Sequence, residues 1–174
     1  MRRIERRAPV PWGKTCAFTG HRPNKYPYLS DENSPEYRRA LSELEKEADK
    51  AVEEGFTHFV CGGALGADTL AAKLFLRKRE ANKELTLEIV APCDGQDKFW
   101  PESDRRVYRD ILEKADVVTW VSEDYTPFCI RERNRFMVEL AERLIAFYDG
   151  TKGGTRMTVQ FALEKGIDVR IVKP

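Results

Sequence analysis

The stretch C-G-G-A-L-G-A-D at residues 61–68 follows a short apolar run at residues 56–60 and precedes a helical pattern at residues 69–81. Glycine lets the backbone approach a ligand because no Cβ stands in the way. A strand, a glycine-rich turn and a helix N-terminus together offer backbone N–H groups and the positive end of a helix dipole to an anion. The stretch therefore predicts a phosphate-binding turn, although a plain tight turn between a strand and a helix has the same pattern.

The spacing of this stretch, G-G-x-x-G-x-D, matches neither the G-x-G-x-x-G of dinucleotide-binding proteins nor the G-x-x-x-x-G-K-[ST] of P-loop proteins. A second glycine-rich stretch, D-G-T-K-G-G-T at residues 149–155, also lies between an apolar run and a helical pattern. There Thr155 can cap the helix or bond a phosphate oxygen. Two such helix starts on one rim predict a ligand that carries phosphate groups.

Apolar runs rich in strand-forming residues alternate with helical patterns along the whole chain. This alternation predicts an α/β fold: a single Rossmann-like domain, with a mostly parallel sheet of about six strands and helices on both faces. In such sheets ligands bind beyond the carboxyl ends of the strands, where the strand order reverses. The predicted strands are residues 15–19, 56–61, 85–91, 116–121, 143–148 and 168–172.

Length and charge narrow the class of protein. The 174 residues fit one domain, and 30 Lys and Arg against 29 Asp and Glu give a formal net charge of +1. This balance lacks the basic excess of duplex-binding surfaces, so nucleic acid is not expected as a partner. No apolar run approaches the roughly 18–20 residues of a membrane span, and no apolar signal core begins the chain. We therefore expect a cytoplasmic protein without a membrane partner.

The four cysteines contain no C-x-x-C pair, and only two histidines could join them. Zinc spacing is therefore absent, and neither a metal nor a cofactor is expected; buried free thiols are the simpler interpretation. Residues 1–14 are rich in arginine and show no apolar periodicity, which predicts a flexible, solvated tail before a domain at residues 15–174. A weak electrostatic contact with RNA or a partner is the alternative for this tail. Self-association of the domain is left open.

Polar and glycine residues follow several predicted strands, at the edge where ligands bind. His21 and Arg22 stand on a turn after the first strand, and this pairing favours a ligand contact over an ordinary loop. Phe99 and Trp100, after the third strand, either stack on a base or close the core. The candidate ligand-binding residues are Thr19, Gly20, His21, Arg22, Gly62, Gly63, Ala64, Gly66, Ala67, Asp68, Asn134, Gly153, Gly154 and Thr155.

Three arginines, Arg131, Arg133 and Arg135, lie in the helical pattern before the second glycine-rich stretch. Spacing by two residues fans side chains around a helix, so at most one or two of them can face the site. A guanidinium there would bind an anion through two parallel hydrogen bonds. Surface ion pairs with Glu132 or Glu139 are the alternative for at least one of them.

Four motifs occur in order along the chain: T-G-H-R-P at residues 19–23, G-G-A-L-G-A-D at 62–68, R-N-R-F-M-V at 133–138 and D-G-T-K-G-G-T at 149–155. Together they resemble the YpsA-like bacterial family of the SLOG superfamily, which also holds the DNA-processing protein DprA and the LOG phosphoribohydrolases. The resemblance covers nearly the whole chain after the tail. It implies a Rossmann-like fold that binds a nucleotide or a nucleotide derivative.

The LOG enzymes cleave the N-glycosidic bond of nucleoside monophosphates with an arginine and a glutamate, the latter in a P-G-G-x-G-T-x-E-E run. Arg133 matches the position of that arginine. The glutamate does not carry over, because R-M-T follows Thr155, and Asp149 replaces the proline. Asp68 or Asp149 could supply a carboxyl group from a neighbouring loop. The resemblance thus makes Arg133 and Asp68 the candidate catalytic residues.

These observations favour a nucleotide-binding protein with a sensor or regulatory role, in which the two glycine-rich loops hold phosphate. The alternative is a nucleoside 5'-monophosphate N-glycosidase of the LOG kind. The missing glutamate argues against this alternative, because an acid–base group contributes roughly a hundredfold or more to the reaction rate. Binding of single-stranded DNA in the manner of DprA is a third hypothesis, against which the near-neutral charge argues.

Overall fold

The structure, a computed structural model, describes residues 2–6 and 13–174, which form an α/β domain with one mixed sheet. The strands within these ranges are β1 (Arg3–Arg6), β2 (Lys14–Gly20), β3 (Phe56–Cys61), β4 (Thr86–Cys93), β5 (Val117–Ser122), β6 (Arg143–Phe147) and β7 (Asp168–Val172). The α-helices are α1 (Pro35–Glu53), α2 (Ala67–Ala81), α3 (Glu102–Lys114), α4 (Cys129–Leu140) and α5 (Gly154–Lys165), and a short 3₁₀ helix spans Pro27–Ser30.

The strand order is β1-β5-β4-β3-β2-β6-β7, and every pair is parallel except β1 with β5. From β2 the chain builds outward through β3, β4 and β5, then crosses back through α4 to place β6 on the other side of β2. The strand order therefore reverses between β2 and β6, which is where a sheet of this kind binds ligands. The predicted Rossmann-like α/β class is confirmed, with β1 as a strand beyond the predicted six.

Helices cover both faces of the sheet, as the sequence predicts. Helices α1, α2 and α3 pack on one face around buried residues such as Phe18 and Phe59, whereas α4 and α5 pack on the other around Val90 and Leu144. Helix α1 shows why these segments are helical: Ser34 caps it by accepting a hydrogen bond from the Tyr37 N–H at 3.1 Å. Its buried stripe recurs at helical spacing through Tyr37, Ala40, Leu44, Ala48 and Ala51.

Strand β1 lies where the sequence predicts a flexible tail. It pairs antiparallel with β5, the Arg3 guanidinium lies 3.9 Å from the centre of the Trp120 ring, and Arg2 lies 3.9 Å from that of Phe136. Arginine side chains pack well on aromatic faces, so this arginine-rich segment forms an edge strand although residues 2–5 remain exposed. Residues 7–12 of the predicted tail lie outside the described ranges.

Candidate functional site

A cavity of about 230 Å³ opens at the carboxyl ends of β2 and β6, where the strand order reverses. The loops after β2, β3 and β6 and the first turns of α4 form its walls. It is smaller than the about 300–1,000 Å³ typical of ligand pockets. The residues that line it are Thr19, Gly20, His21, Arg22, Asn24, Lys25, Ala64, Asp68, Ile130, Arg133, Asn134, Gly153, Gly154 and Thr155.

The loops after the strands thus bring most of the sequence-predicted site residues together. The predicted residues outside the cavity lining are Gly62, Gly63, Gly66 and Ala67. The sequence analysis did not name the lining residues Asn24, Lys25 and Ile130. Asn24 and Lys25 continue the polar turn after β2, so their position in the sequence could have predicted them. The apolar Ile130 carries no such signal.

Gly62 makes room for Arg133, which is only 5% exposed. The Arg133 Nη1 donates to the Gly62 carbonyl oxygen at 2.7 Å, and Nε donates to Asn134 Oδ1 at 2.7 Å. A Cβ at Gly62 would lie 1.9 Å from that Nη1. The glycine is therefore required because a guanidinium packs against it.

The first glycine-rich loop uses its N–H groups within the protein. Asp68, in the first turn of α2, accepts from the Ala64 N–H at 3.1 Å through Oδ2, and the Ala67 N–H donates to the His21 carbonyl oxygen at 3.1 Å. Burial raises the pKa of Asp68, while the Arg133 guanidinium and the N–H groups of Ala64 and Gly62 oppose the rise. The Asp68 carboxyl group and the His21 carbonyl oxygen thus occupy N–H donors that the sequence predicts for a phosphate.

Gly66 allows the first loop to touch the turn after β2. Its φ of +92° lies in the region that favours glycine, and a Cβ there would lie 2.8 Å from Pro23 Cδ and 2.9 Å from the His21 carbonyl oxygen. Gly63 packs against Ile89 in the same way. These glycines shape the wall of the cavity from behind.

The second glycine-rich loop faces the cavity directly. Helix α5 begins at Gly154, and Gly153 before it provides no side-chain cap. The first N–H groups of a helix have no intrahelical acceptor, so this end presents free donors and the positive end of the helix dipole. A Cβ built at Gly154 would meet only Asn134 Nδ2, at 3.9 Å. The open space at Gly154 is therefore part of the cavity.

Two guanidinium groups add positive charge to this cavity. Arg22 is exposed and forms no salt bridge with any residue that the structure describes, and Arg133 Nη2 likewise has no acceptor within that part of the chain. Arg131 and Arg135 instead lie over the Phe161 ring, 6.0 Å and 4.7 Å from its centre. Of the three arginines on α4, Arg133 is the one that reaches the cavity.

Asp149 is an ionised acceptor in a network beside the cavity. His21 Nε2 lies 3.0 Å from Asp149 Oδ1, and Tyr26 OH and Thr151 Oγ1 donate to the carboxylate at 2.5 Å and 2.6 Å. Desolvation would raise the pKa of Asp149, but the hydrogen bonds from Thr151, Tyr26 and Lys25 outweigh it and hold that pKa well below its usual range. Burial also lowers the pKa of His21, against the pull of Asp149, so the imidazole is neutral at pH 7. Asp149 therefore holds the turn after β2 in place through these hydrogen bonds.

An Asp149→Asn variant is expected to melt at a lower temperature than the unchanged protein at pH 7, because a neutral amide loses the charge-assisted bonds from Lys25 and Tyr26. The folded-state pKa is lowered, so this stabilisation is full above about pH 3.9 and is lost as pH falls through the lower folded value. The two melting temperatures, followed by circular dichroism, should converge progressively below about pH 4. If the difference between the two melting temperatures stays constant in acid, the lowered pKa of Asp149 is wrong.

Within the described ranges no helix is both long and apolar enough to span a bilayer, and no group of three His, Cys, Asp or Glu side chains is placed to bind a metal ion. The four cysteines are buried and free. Burial raises the pKa of the Cys61 thiol, which lies under the first glycine-rich loop, so the thiol form prevails at pH 7.

Comparison with known proteins begins with two bacterial relatives. A UPF0398 protein of Bacillus pumilus (strain SAFR-032) is 30% identical over 145 residues, which cover 82% of this chain and 77% of that protein. The SPbeta prophage-derived protein YoqJ of Bacillus subtilis (strain 168) is 29% identical over 122 residues, covering 63% of this chain and 71% of that protein. These relatives are similar to the chain over most of its length.

Among solved structures, DNA processing protein A (DprA) of Streptococcus pneumoniae superposes with a TM-score of 0.62 at 24% identity, over 91% of this chain and 50% of that one. DprA of Helicobacter pylori superposes with a TM-score of 0.59 at 20% identity, over 91% of this chain and 64% of that one. Its structure describes a unique single-stranded DNA binding mode. The chain spans half to about two thirds of these proteins, and at such identities the likeness shows the fold. Residues 16–170 match the family model described as the YspA SLOG family, which confirms the resemblance of the four motifs. The chain belongs to the YspA SLOG family.

Proposed function

We propose that this protein binds a nucleotide or nucleotide-derived ligand in the cavity between β2 and β6, with a sensor or regulatory role. The observation that carries the proposal is the N-terminus of α5, which has no side-chain cap and faces a cavity that Arg22 also lines; among the described residues Arg22 has no salt-bridge partner. Backbone N–H groups, a helix dipole and a free guanidinium are together the donors that a phosphate group requires.

The ligand's phosphate would lie at Gly154 and Thr155, against the N–H groups of the first turn of α5. Arg22 and the free Nη2 of Arg133 would bond further phosphate oxygens from the opposite wall. The neutral His21 ring, held by Asp149, would be an uncharged neighbour for a sugar hydroxyl. Charge, donors and space thus favour a phosphate ester in this cavity.

Gly154→Ala is expected to weaken nucleotide binding about tenfold or more, which corresponds to about 1.4 kcal/mol. The new Cβ would project into the space where the phosphate approaches, while φ at this position lies outside the region that requires glycine. The variant should be at least as stable as the unchanged protein, since alanine is favoured over glycine in a helix by about 0.5–1 kcal/mol. Calorimetric titration with AMP, GMP, CMP, UMP, NAD and ADP-ribose measures the affinities.

Gln160→Ala is the matched control for this experiment, because Gln160 is exposed on the same helix, away from the cavity lining. Its affinities should equal those of the unchanged protein. If a nucleotide binds the Gly154→Ala variant as tightly as the unchanged protein, its phosphate does not lie at the N-terminus of α5 and the proposal is wrong.

An N-glycosidase activity is the second candidate, and one observation favours it. Asp68 lines the cavity beside Arg133, and its raised pKa favours the proton-carrying form that a general acid needs. A proton and phosphorus NMR time course with the same nucleotides tests it. Free base and ribose 5-phosphate that appear with the unchanged protein and not with Asp68→Asn would establish the enzyme, whereas line broadening without product favours the sensor.

Single-stranded DNA is a further candidate ligand, supported by the fold that this chain shares with H. pylori DprA. The formal net charge of +1 argues against it, since binding to a nucleic-acid backbone is driven by many Lys and Arg contacts. Fluorescence anisotropy of a labelled oligothymidine at two salt concentrations distinguishes binding of single-stranded DNA from binding of a small nucleotide. Tight binding that falls steeply with salt would replace the small-ligand proposal.

A further inference from the structure

A second cavity of about 510 Å³ adjoins the first on the side of β4 and β5. We name it the aromatic groove, after Phe99, Trp100 and Tyr125, which line it. Arg22 and Ile130 line both cavities, so the two are neighbours that meet at these side chains. The loops that form the groove follow the carboxyl ends of β4 and β5, on the same edge of the sheet as the first cavity.

Two aromatic rings in this groove are exposed to solvent to an unusual degree. Phe99 is 90% exposed and Tyr125 is 70% exposed, whereas Trp100 is half-buried and packs edge-on against Tyr108, with ring centres 5.2 Å apart. Phe99 therefore does not close the core, which was one of its two interpretations from sequence. Exposed aromatic side chains that flank a cavity mark a surface that binds a flat apolar group.

The charge of the groove differs from that of the first cavity. Asp94 and Asp124 line the groove, and Asp94 already accepts a hydrogen bond from Arg3 Nη2 at 3.0 Å. Asp124 forms no salt bridge with any residue in the described ranges. Arg22 and Lys98 also line the groove and balance these two charges, while the carboxylates can accept hydrogen bonds from the ring and exocyclic N–H groups of a base. The groove thus suits a base, and the first cavity suits its phosphate.

We propose that the aromatic groove holds the base of the nucleotide, stacked on Phe99 and Tyr125, while its phosphate lies at the N-terminus of α5. This inference rests on the proposed function, since it extends the same ligand across the junction at Arg22. It also accounts for the small volume of the first cavity, which holds the phosphate and the sugar. The ligand class is then a nucleotide whose base and phosphate lie in the two neighbouring cavities.

Comparison of AMP with ribose 5-phosphate, which has the same phosphate and sugar but no base, tests this inference by calorimetric titration. The unchanged protein is expected to bind AMP about tenfold to a hundredfold more tightly, from stacking on the rings. Phe99→Ala and Tyr125→Ala should reduce this ratio and leave the affinity for ribose 5-phosphate unchanged. Phe99 and Tyr125 are largely exposed, so both variants should fold normally.

Phe128→Ala is the matched control, since Phe128 is 65% exposed but lies outside the groove lining. It should leave both affinities unchanged. If AMP and ribose 5-phosphate bind equally, or if the ratio of their affinities is unchanged when both rings are removed, the base does not lie in the aromatic groove. Either result leaves the phosphate site at α5 unaffected. If both compounds bind Gly154→Ala as tightly as the unchanged protein, or if none of the six nucleotides binds, the proposed function fails together with this inference. Preference for an oligothymidine over AMP would also overturn it.

Discussion

Replacing Arg133 with alanine is expected to lower the free energy of unfolding by about 3–5 kcal/mol, the usual cost of removing one partner from a buried charged cluster. Arg133 is buried and donates to Gly62 and Asn134. Asp68 Oδ2 approaches the same glycine, since a Cβ at Gly62 would lie 2.8 Å from it. Truncation would remove the guanidinium that favours the charged form of Asp68, and it would leave Asn134 Oδ1 without the donor Nε.

Urea unfolding of Arg133→Ala measures this loss, with Arg131→Ala as the matched control because Arg131 is exposed on the same helix. The control should change the free energy of unfolding by less than about 0.5 kcal/mol. Addition of Asp68→Asn to Arg133→Ala should cost less than the sum of the two single changes, because Arg133→Ala has already removed the interaction between the two side chains. An additive double variant would show that Asp68 and Arg133 do not interact.

Gly62→Ala is expected to cost about 1–3 kcal/mol from overpacking alone, although it adds a single methyl group. The methyl carbon would lie 1.9 Å from Arg133 Nη1 and 2.5 Å from Cζ, so the guanidinium must move. That movement breaks its 2.7 Å hydrogen bond to the Gly62 carbonyl oxygen. Arg133 is only 5% exposed, so its side chain has little room to move.

Gly154→Ala is the control for this substitution, since it makes the same chemical change at a position that is open. Parallel urea titrations should show Gly62→Ala destabilised and Gly154→Ala unchanged or slightly more stable. The two variants thus separate a glycine that serves packing from one that serves the ligand. Equal stability of both variants would mean that the Arg133 side chain relocates freely.

The fold could be predicted because its information is local. Each strand of the parallel sheet is a short apolar run, each helix has apolar residues at three- and four-residue spacing, and stop signals such as Gly166 mark the ends. Strand β1 could not be predicted in this way. It is four residues long, and its contacts are with Trp120 and its neighbours, more than a hundred positions away.

The cavity could be located because the loops after parallel strands meet at one edge. The roles of the two glycine-rich loops could not be separated, since both precede a helix. The difference depends on Arg133, which lies 71 positions from Gly62 in sequence and is its neighbour in space. It also depends on Asp68, whose carboxyl group takes the N–H donor of Ala64. Contacts of that range leave no trace in local spacing.

Strand β1 has a consequence for how this protein behaves in concentrated solution. The β5 strand, Val117–Ser122, is largely apolar and buried, and β1 occupies its outer hydrogen-bonding edge. An apolar strand with a free edge recruits strands from other molecules and starts aggregation. The charged residues of β1, Arg3 and Glu5 among them, are poor partners for such pairing. The charged strand β1 therefore covers the edge of β5 and disfavours intermolecular sheet formation. Deletion of residues 2–6 would expose that edge to strands of other molecules.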